Sequence, residues 1–304
     1  IAKRAIEKYR AQSDYDGRPL FVAGSIGPSN YVVSSTEANL NKGVFGQIVE
    51  NFYHQVLGLI EGGADVLLIE TQQDILETKA IIVGANKAFD EKKKKLPMIV
   101  QATVDVFSKM QIFNTDIHAA YTAVSKMGID VFGINCNVGP DEMIATVEKL
   151  SRFCKHPISV VPNAGQPISE DGQTCYKLSP EDMANTMEPF VREHGVSIVG
   201  GCCGTTPAHI KALREKLNGV VPATRHPDEK VYVSGPQEAV PIDTSKGLLR
   251  IGERLNVRGS KLVRDAVEKE GEEISMQVLE EVVNEQVKDL GIEIIDVCMD
   301  SNIV

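Results

Sequence analysis

Short apolar, β-branched runs alternate with amphipathic stretches along most of the chain, and this alternation limits the fold more than any other feature. A run that is apolar at every position suits a strand buried on both faces. Such strands, separated by stretches long enough for a crossover helix, define a parallel α/β sheet. Six units are readable, with strands expected at 20–26, 64–70, 97–104, 130–135, 157–163 and 196–201. Helical periodicity lies between them at 45–61, 74–89, 115–127, 141–153 and 180–194, several of these opened by Asp, Thr or Ser-Pro start signals.

Nearly every strand runs into a polar or glycine-rich end: GSIGPSN, ETQQD, DVFS, NCNVGP, NAGQP and GCCGTTP. A (β/α)8 TIM-type barrel builds its site from the loops that follow its strands, so function is expected at these ends. Six strands do not close such a barrel and the chain opens in a crossover-helix pattern. Roughly two N-terminal strands are therefore expected to be missing, from the eight-strand rule. After Leu217 the stretch NGVVPATRHPDEKVYVSGPQEAVPIDTSKG is rich in Pro, Gly and charge and has no sustained periodicity. It reads as an interdomain connection. A new strand signal, LLRIGERLN, a helical pattern over 260–290 and a further strand, IEIIDVCMD, then read as the beginning of a second (β/α)8 barrel. The expected organisation is an incomplete first barrel at 1–217, a linker at 218–247 and an incomplete second domain at 248–304.

Charge narrows the function. Lys+Arg number 32 against 42 Asp+Glu in 304 residues, and no basic stripe interleaved with aromatics is present, which argues against nucleic acid as a partner. No apolar run approaches the roughly 18–20 residues that span a bilayer, and the opening IAKRAIEKYR lacks the apolar core of a signal peptide. No membrane association and a cytoplasmic location are expected. Six cysteines in a chain of this length are too sparse for a disulfide scaffold. In a reducing compartment, clustered thiols hold metal or do chemistry.

Three of the six stand at strand ends: Cys136 in GINCNVGP, and Cys202 and Cys203 in GGCCGTTP. Neighbouring strand residues face opposite ways, so Cys202 and Cys203 can serve one ion only where the backbone leaves the pleat. Gly200, Gly201 and Gly204 permit that turn. Three thiolates and one vacant coordination position describe a catalytic zinc rather than a structural one, because the vacancy can accept a substrate thiol. Thr205-Thr206-Pro207 reads as a cap followed by proline in a first helical turn, whose positive end favours deprotonated thiols nearby. The competing reading, buried apolar cysteines, is kept for Cys154, Cys175 and Cys298. His54, His118, His194 and His209 fall in helical patterns and read as surface or packing residues.

The segments FVAGSIGP, DVLLIET, GINCNVGP, PNAG and GGCCGTTPAHI resemble the homocysteine-binding barrel shared by cobalamin-dependent methionine synthase and the betaine- and S-methylmethionine-dependent homocysteine methyltransferases. The resemblance covers residues 1 to 217, and it implies that Cys136, Cys202 and Cys203 are zinc ligands. It also implies that Glu70 and Thr71 grip the amino-acid end of homocysteine. Gly24, Ser25 and Asn135 are expected to line the pocket or to orient the thiolates by hydrogen bonding behind them. Asn163 in PNAG either joins them or closes a turn. The DG-x-MGT motif of the family's first strand has no counterpart in this sequence.

IGERLNVRGSK and EIIDVCMDSN resemble the start of the methyltetrahydrofolate-binding barrel of cobalamin-dependent methionine synthase. That resemblance implies a pterin pocket formed by Glu253, Asn256 and Asp296. It also implies cobalamin on a further domain of a longer protein, with methyltetrahydrofolate as its source of methyl groups. Two other readings stay open: a single-barrel homocysteine methyltransferase using betaine or S-methylmethionine, and a non-catalytic zinc module with a fourth protein ligand.

Overall fold

A computed structural model describes residues 1–35, 44–170, 172–243, 245, 247–269 and 272–298, which fall into two units, one ending at Val240 and one beginning at Pro241. In the first unit, helix α1 (Ala2–Arg10) leads to β1 (Ala23–Ile26), α2 (Val44–Glu61), β2 (Val66–Gln72), α3 (Ile75–Lys92) and β3 (Met98–Ala102). A hairpin of β4 (Lys109–Met110) and β5 (Thr115–Asp116) precedes α4 (Ile117–Val124), β6 (Val131–Asn135), α5 (Pro140–Phe153) and β7 (Ile158–Val161). A second hairpin, β8 (Ile168–Glu170) with β9 (Gln173–Cys175), is followed by α6 (Pro180–Arg192), β10 (Val196–Val199) and α7 (Pro207–Lys216).

Six of these strands form one parallel sheet in the order β1-β2-β3-β6-β7-β10. Strand order follows chain order throughout, so right-handed crossovers carry the connecting helices to one face. The residues that alternate toward that face are Leu67, Ile69, Met98, Val100, Phe132, Ile134, Ile158 and Val160. All are buried in one core with Ile48 and Phe52 of α2, Ile81 of α3, Leu150 of α5 and Phe190 of α6. Helices α2 and α3 approach closely at Gly84, where an added Cβ would lie 2.6 Å from the Val49 carbonyl oxygen.

The other face carries Ser25, Leu68, Ile99, Gln101, Val131, Gly133 and Ser159 in register. Gly133 stands between Gln101 and Ser159, and its missing side chain lets Gln101 Nε2 donate to Ser159 Oγ at 2.8 Å. Helix starts follow the expected signals. Asp74 accepts the Leu76 and Glu77 N–H groups at the head of α3, Asp116 accepts the His118 N–H, and Ser179 accepts the Asp182 N–H ahead of Pro180.

The proline-rich stretch after α7 lies along the first unit as far as Val240. Ala223 N–H donates to Val191 O at 3.0 Å and Asp228 N–H to Arg152 O at 2.7 Å. A strand pair follows, β11 (Tyr232–Ser234) with β12 (Ala239–Pro241); Asp116 N–H donates to Gln237 O at 2.8 Å and Ser234 Oγ to Ala119 O at 2.9 Å. In the second unit β13 (Ile251–Asn256) pairs in parallel with β14 (Ile294–Cys298), and α8 (Lys261–Lys269) and α9 (Glu272–Asn284) lie between them in sequence. Leu255, Val257, Val263 and Val282 form its core. The single helical pattern expected over 260–290 is thus two helices and a short π-helical turn at Glu285–Asp289, with residues 270 and 271 outside the described set. No helix among the described residues is long and apolar enough to cross a membrane.

Candidate active site

The C-terminal ends of β2, β6 and β10 bring the expected residues of the first unit together. Strand β6 ends at Asn135, and the chain then turns sharply: Cys136 and Asn137 both adopt left-handed backbone, at φ 61° and 68°. Non-glycine residues seldom adopt this region, and strain of this kind concentrates at functional sites. The turn is held by Cys136 N–H donating to Val161 O at 3.0 Å and Asn137 Nδ2 donating to Val104 O at 2.9 Å. Beyond β10, Cys202 N–H donates to Pro162 O at 2.8 Å, and Thr205 Oγ1 returns to Cys202 O at 2.7 Å. The glycines here are needed for space: a Cβ on Gly201 would sit 2.3 Å from Thr205 Cγ2, and one on Gly204 would sit 2.3 Å from the Tyr176 ring.

The backbone leaves the pleat as the adjacent cysteines require, and three sulfurs converge. Cys136 Sγ is 3.7 Å from Cys203 Sγ, Cys202 Sγ is 3.9 Å from Cys203 Sγ, and all three ligand atoms lie within 4.8 Å of one another. Four sulfurs tetrahedral about zinc at about 2.3 Å would stand about 3.8 Å apart, so this donor set fits a tetrahedral thiophilic cation. All six cysteines are free thiols. Without a cation the cluster shares protons unevenly. Hydrogen bonding from Cys202, with the Asn137 N–H assisting against the cost of burial, brings Cys136 down to about 5. Cys202 is pushed up because it donates to that thiolate and is itself half-buried. Cys154, by contrast, is fully buried and its thiol is raised to about 11 by burial, which fits the packing role expected of it.

Beside the sulfurs, Asn135 is fully buried and Nδ2 points to Cys202 Sγ at 3.9 Å. Its other contacts hold Thr71: Oδ1 accepts the Thr71 N–H at 2.8 Å and Nδ2 donates to Thr71 Oγ1 at 2.9 Å. Thr71 has φ 62°, and the register of β2 on β3 shifts there, between Ile69 and Gln72. Glu70 accepts a hydrogen bond from Ser25 Oγ on β1. Gly24 lies beneath, packed on Leu59 and Ala64. Glu70, Thr71, Ser25 and Asn135 therefore form one connected group around the sulfurs' end of the sheet.

Three further residues stand here: Asn163, whose role the sequence left open between pocket and turn, and Tyr176 and His209, to which it gave no site role. Asn163, 2% exposed, accepts the Cys203 N–H at 3.1 Å through Oδ1, so it serves the cluster rather than only a turn. The Tyr176 hydroxyl is pushed up by burial and by the neighbouring Cys203 sulfur. His209 is buried on the helix that follows the cysteine loop, against Thr206 and Leu178. PNAG carried a signal for Asn163; nothing in the local sequence marked the other two.

In the second unit Asn256 Nδ2 donates to Glu253 Oε1 at 3.0 Å, while Asn256 Oδ1 accepts the Arg258 and Gly259 N–H groups at 2.9 and 2.8 Å. Glu253 and Asn256 line a cavity of about 480 Å3 with Ser260 and Glu285. Asp296 is exposed on β14 and is not among that cavity's lining residues.

Three converging thiols at the C-terminal ends of the strands of a parallel α/β sheet define a metal-binding class of site. Residues 1–217 match the homocysteine S-methyltransferase family model, and the chain belongs to that family. It is 35% identical over 283 residues to a methionine synthase of Mycobacterium tuberculosis and 34% identical over 285 residues to one of Mycobacterium leprae. These alignments cover 93% and 92% of this chain. The chain spans 23% of the length of each of these relatives. Among solved structures it is similar to the homocysteine methyltransferase MmuM of Escherichia coli. In metallated form the TM-score is 0.51 at 25% identity over 71% of this chain and 67% of that one; in apo form the TM-score is 0.52, over 71% and 69%.

Proposed function

We propose that this chain is the homocysteine-activating part of a cobalamin-dependent methionine synthase, with zinc held by Cys136, Cys202 and Cys203. The observation that carries the reading is the sulfur triangle, whose 3.7 and 3.9 Å edges suit one tetrahedral cation and leave a position for a fourth, substrate sulfur. Zinc bound there supplies a Lewis acid that keeps a substrate thiol deprotonated at neutral pH. The chain's own residues do the rest. The Glu70 carboxylate, oriented by Ser25, receives the homocysteine ammonium. Thr71, clamped by Asn135, presents its backbone and hydroxyl to the amino-acid end of the substrate. The Asn135 amide and the Asn163 hold on Cys203 fix the thiolates. The reaction forms a bond between the homocysteine sulfur and the donor's methyl carbon as that carbon leaves its donor.

On this reading the donor is methylcobalamin on another domain of a longer polypeptide, recharged from methyltetrahydrofolate. Residues 1–217 belong to a (β/α)8 barrel, 218–247 join it to the next domain, and 248–304 begin a folate barrel. Glu253, Asn256 and Asp296 contribute to the pterin pocket, since amide and carboxylate groups match a pterin's donor and acceptor edge. A cytoplasmic location suits six free thiols. The alignment with a methionine synthase covers 93% of this chain and so extends beyond residue 217, which favours this over a single-barrel enzyme using betaine or S-methylmethionine.

Metal analysis of Cys→Ser variants, with X-ray absorption at the zinc edge, tests the proposal. Replacing Cys136, Cys202 or Cys203 should abolish zinc binding, and adding homocysteine should add a fourth sulfur to the wild-type shell. Full zinc in both Cys202→Ser and Cys203→Ser, with loss in Cys154→Ser, would overturn the ligand assignment.

A further inference from the structure

We infer that His209 is a positioning residue for the metal site, acting on Cys203 through Leu178 and Ala164; this rests on the zinc reading above. His209 lies in the first turn of α7 and is 6% exposed. Its Nδ1 is 3.1 Å from the Thr206 backbone nitrogen and 2.9 Å from Thr206 Oγ1, and its Nε2 is 3.0 Å from the Leu178 carbonyl oxygen. A backbone N–H only donates and a carbonyl only accepts. The ring is therefore neutral, with the proton on Nε2 and Nδ1 bare, an assignment dictated by its partners.

From Leu178 a chain of main-chain bonds runs to the cysteine pair. Leu178 N–H donates to Ala164 O at 3.0 Å, and Ala164 N–H donates to Cys203 O at 2.9 Å. Cys203 N–H donates to Asn163 Oδ1 at 3.1 Å, so both sides of its backbone are held by the 163–164 segment that Leu178 pins. Gly165, at φ 90°, turns the chain where a Cβ would lie 3.1 Å from Leu178 Cβ. Glutamate or glutamine is the usual partner in a capping box, but it serves only the helix start. Histidine here closes the cap on one side and ties the loop ahead of α6 to the cysteine loop on the other. Being neutral, it adds no charge near the thiolates. Metal–ligand distances fall within about 0.2 Å of fixed values, so release of this tie should be read out at the cation.

The test is competition between the 304-residue chain and a chromophoric chelator for zinc, with cobalt(II)-thiolate charge-transfer spectra as a second readout. Asparagine keeps an acceptor near Nδ1 but is too short to reach Leu178 O, whereas glutamine places an amide N–H near the Nε2 position. His209→Asn should hold zinc about 10-fold more weakly, the scale seen for groups that orient metal ligands, and should perturb the cobalt spectrum. His209→Gln should stay near wild type in both readouts. Thr206→Ala removes the cap, leaves the Leu178 tie and should also retain wild-type zinc affinity. Wild-type affinity in His209→Asn, or equal weakening in all three variants, would overturn the inference. Were His209→Asn unable to fold, weakened zinc in a folded Thr206→Ala would still overturn it, and wild-type zinc in His209→Gln would support it. A wild-type chain that bound no zinc would defeat the metal reading itself, and this inference with it.

Discussion

Asn135 reaches across β3 to hold Thr71 in left-handed backbone: Oδ1 accepts the Thr71 N–H at 2.8 Å, Nδ2 donates to Thr71 Oγ1 at 2.9 Å, and Thr71 sits at φ 62°. A β-branched residue is costly in that region and stays there only when its surroundings force it. Asn135→Ala leaves the Thr71 N–H unpaired and empties a fully buried volume. We expect a loss of about 1–3 kcal/mol in stability from the lost hydrogen bonds and the emptied volume together, measured by urea denaturation. Homocysteine binding should weaken as Thr71 relaxes, and an unchanged urea midpoint would show that the clamp carries no load.

Glu70 stands free for a ligand apart from its bond with Ser25. In the longer parent polypeptide that the proposed function requires, Glu70→Gln should weaken homocysteine binding by about 2–4 kcal/mol, the scale for truncating one partner of a buried charge pair. Calorimetry gives the affinity, and zinc content should be unaffected. Unaltered homocysteine affinity would assign Glu70 to the sheet alone.

Zinc binding should strengthen as pH rises. In the metal-free cluster Cys136 is a thiolate above about 5, while Cys202 keeps its proton because it donates to that thiolate. A cation taken up at neutral pH must therefore displace the Cys202 proton, and below about 5 it competes for Cys136 as well. Chelator competition across the acid-to-neutral range should show affinity falling with acid and falling more steeply once Cys136 protonates. Calorimetry in buffers of different ionisation enthalpy should detect proton release. Affinity independent of pH would contradict the shared-proton description.

Gly84→Ala offers a stability test away from the site. Alanine favours a helix interior over glycine by about 1 kcal/mol. At this position, however, the new Cβ would meet the Val49 carbonyl oxygen at 2.6 Å and the Tyr53 nitrogen at 2.9 Å, both backbone atoms that cannot swing away. We expect net destabilisation, about 1–3 kcal/mol from overpacking, seen as a lower Tm. A raised Tm would mean that α2 and α3 separate at little cost.

The sheet was legible because its evidence is periodic. The expected strand at 130–135 is Val131–Asn135, and the expected helix at 141–153 is Pro140–Phe153. Apolar runs and Ser-Pro or Gly-Pro starts are local signals. The sulfur cluster was legible for a different reason: glycines beside Cys202 and Cys203 announced a backbone able to aim neighbouring side chains at one point. Strand β2, expected to stop at residue 70, extends to Gln72 through a left-handed Thr71 held by a residue 64 positions away. No local pattern encodes such a contact. His209 was hidden for the same reason, since one of its partners, Leu178, lies in another loop. The stretch after Leu217 is coil by composition, yet its amides find carbonyls on the first unit, as Asp228 does on Arg152.

Cys136 leaves the sheet from β6 and the cysteine pair from β10, with β7 lying between those two strands. Mechanically, a cation shared by all three is a fastener. It closes the intervening chain, which includes β7, the β8–β9 hairpin, α6 and β10, into a single ring whose ends cannot part while the ion stays. Clasping a ring of that length removes far more freedom from an opened chain than from a folded one. The amides of β10 should then exchange with solvent as a group and at a rate set by metal departure, so that an ion held for the proposed chemistry would also latch the end of the sheet on which it rests.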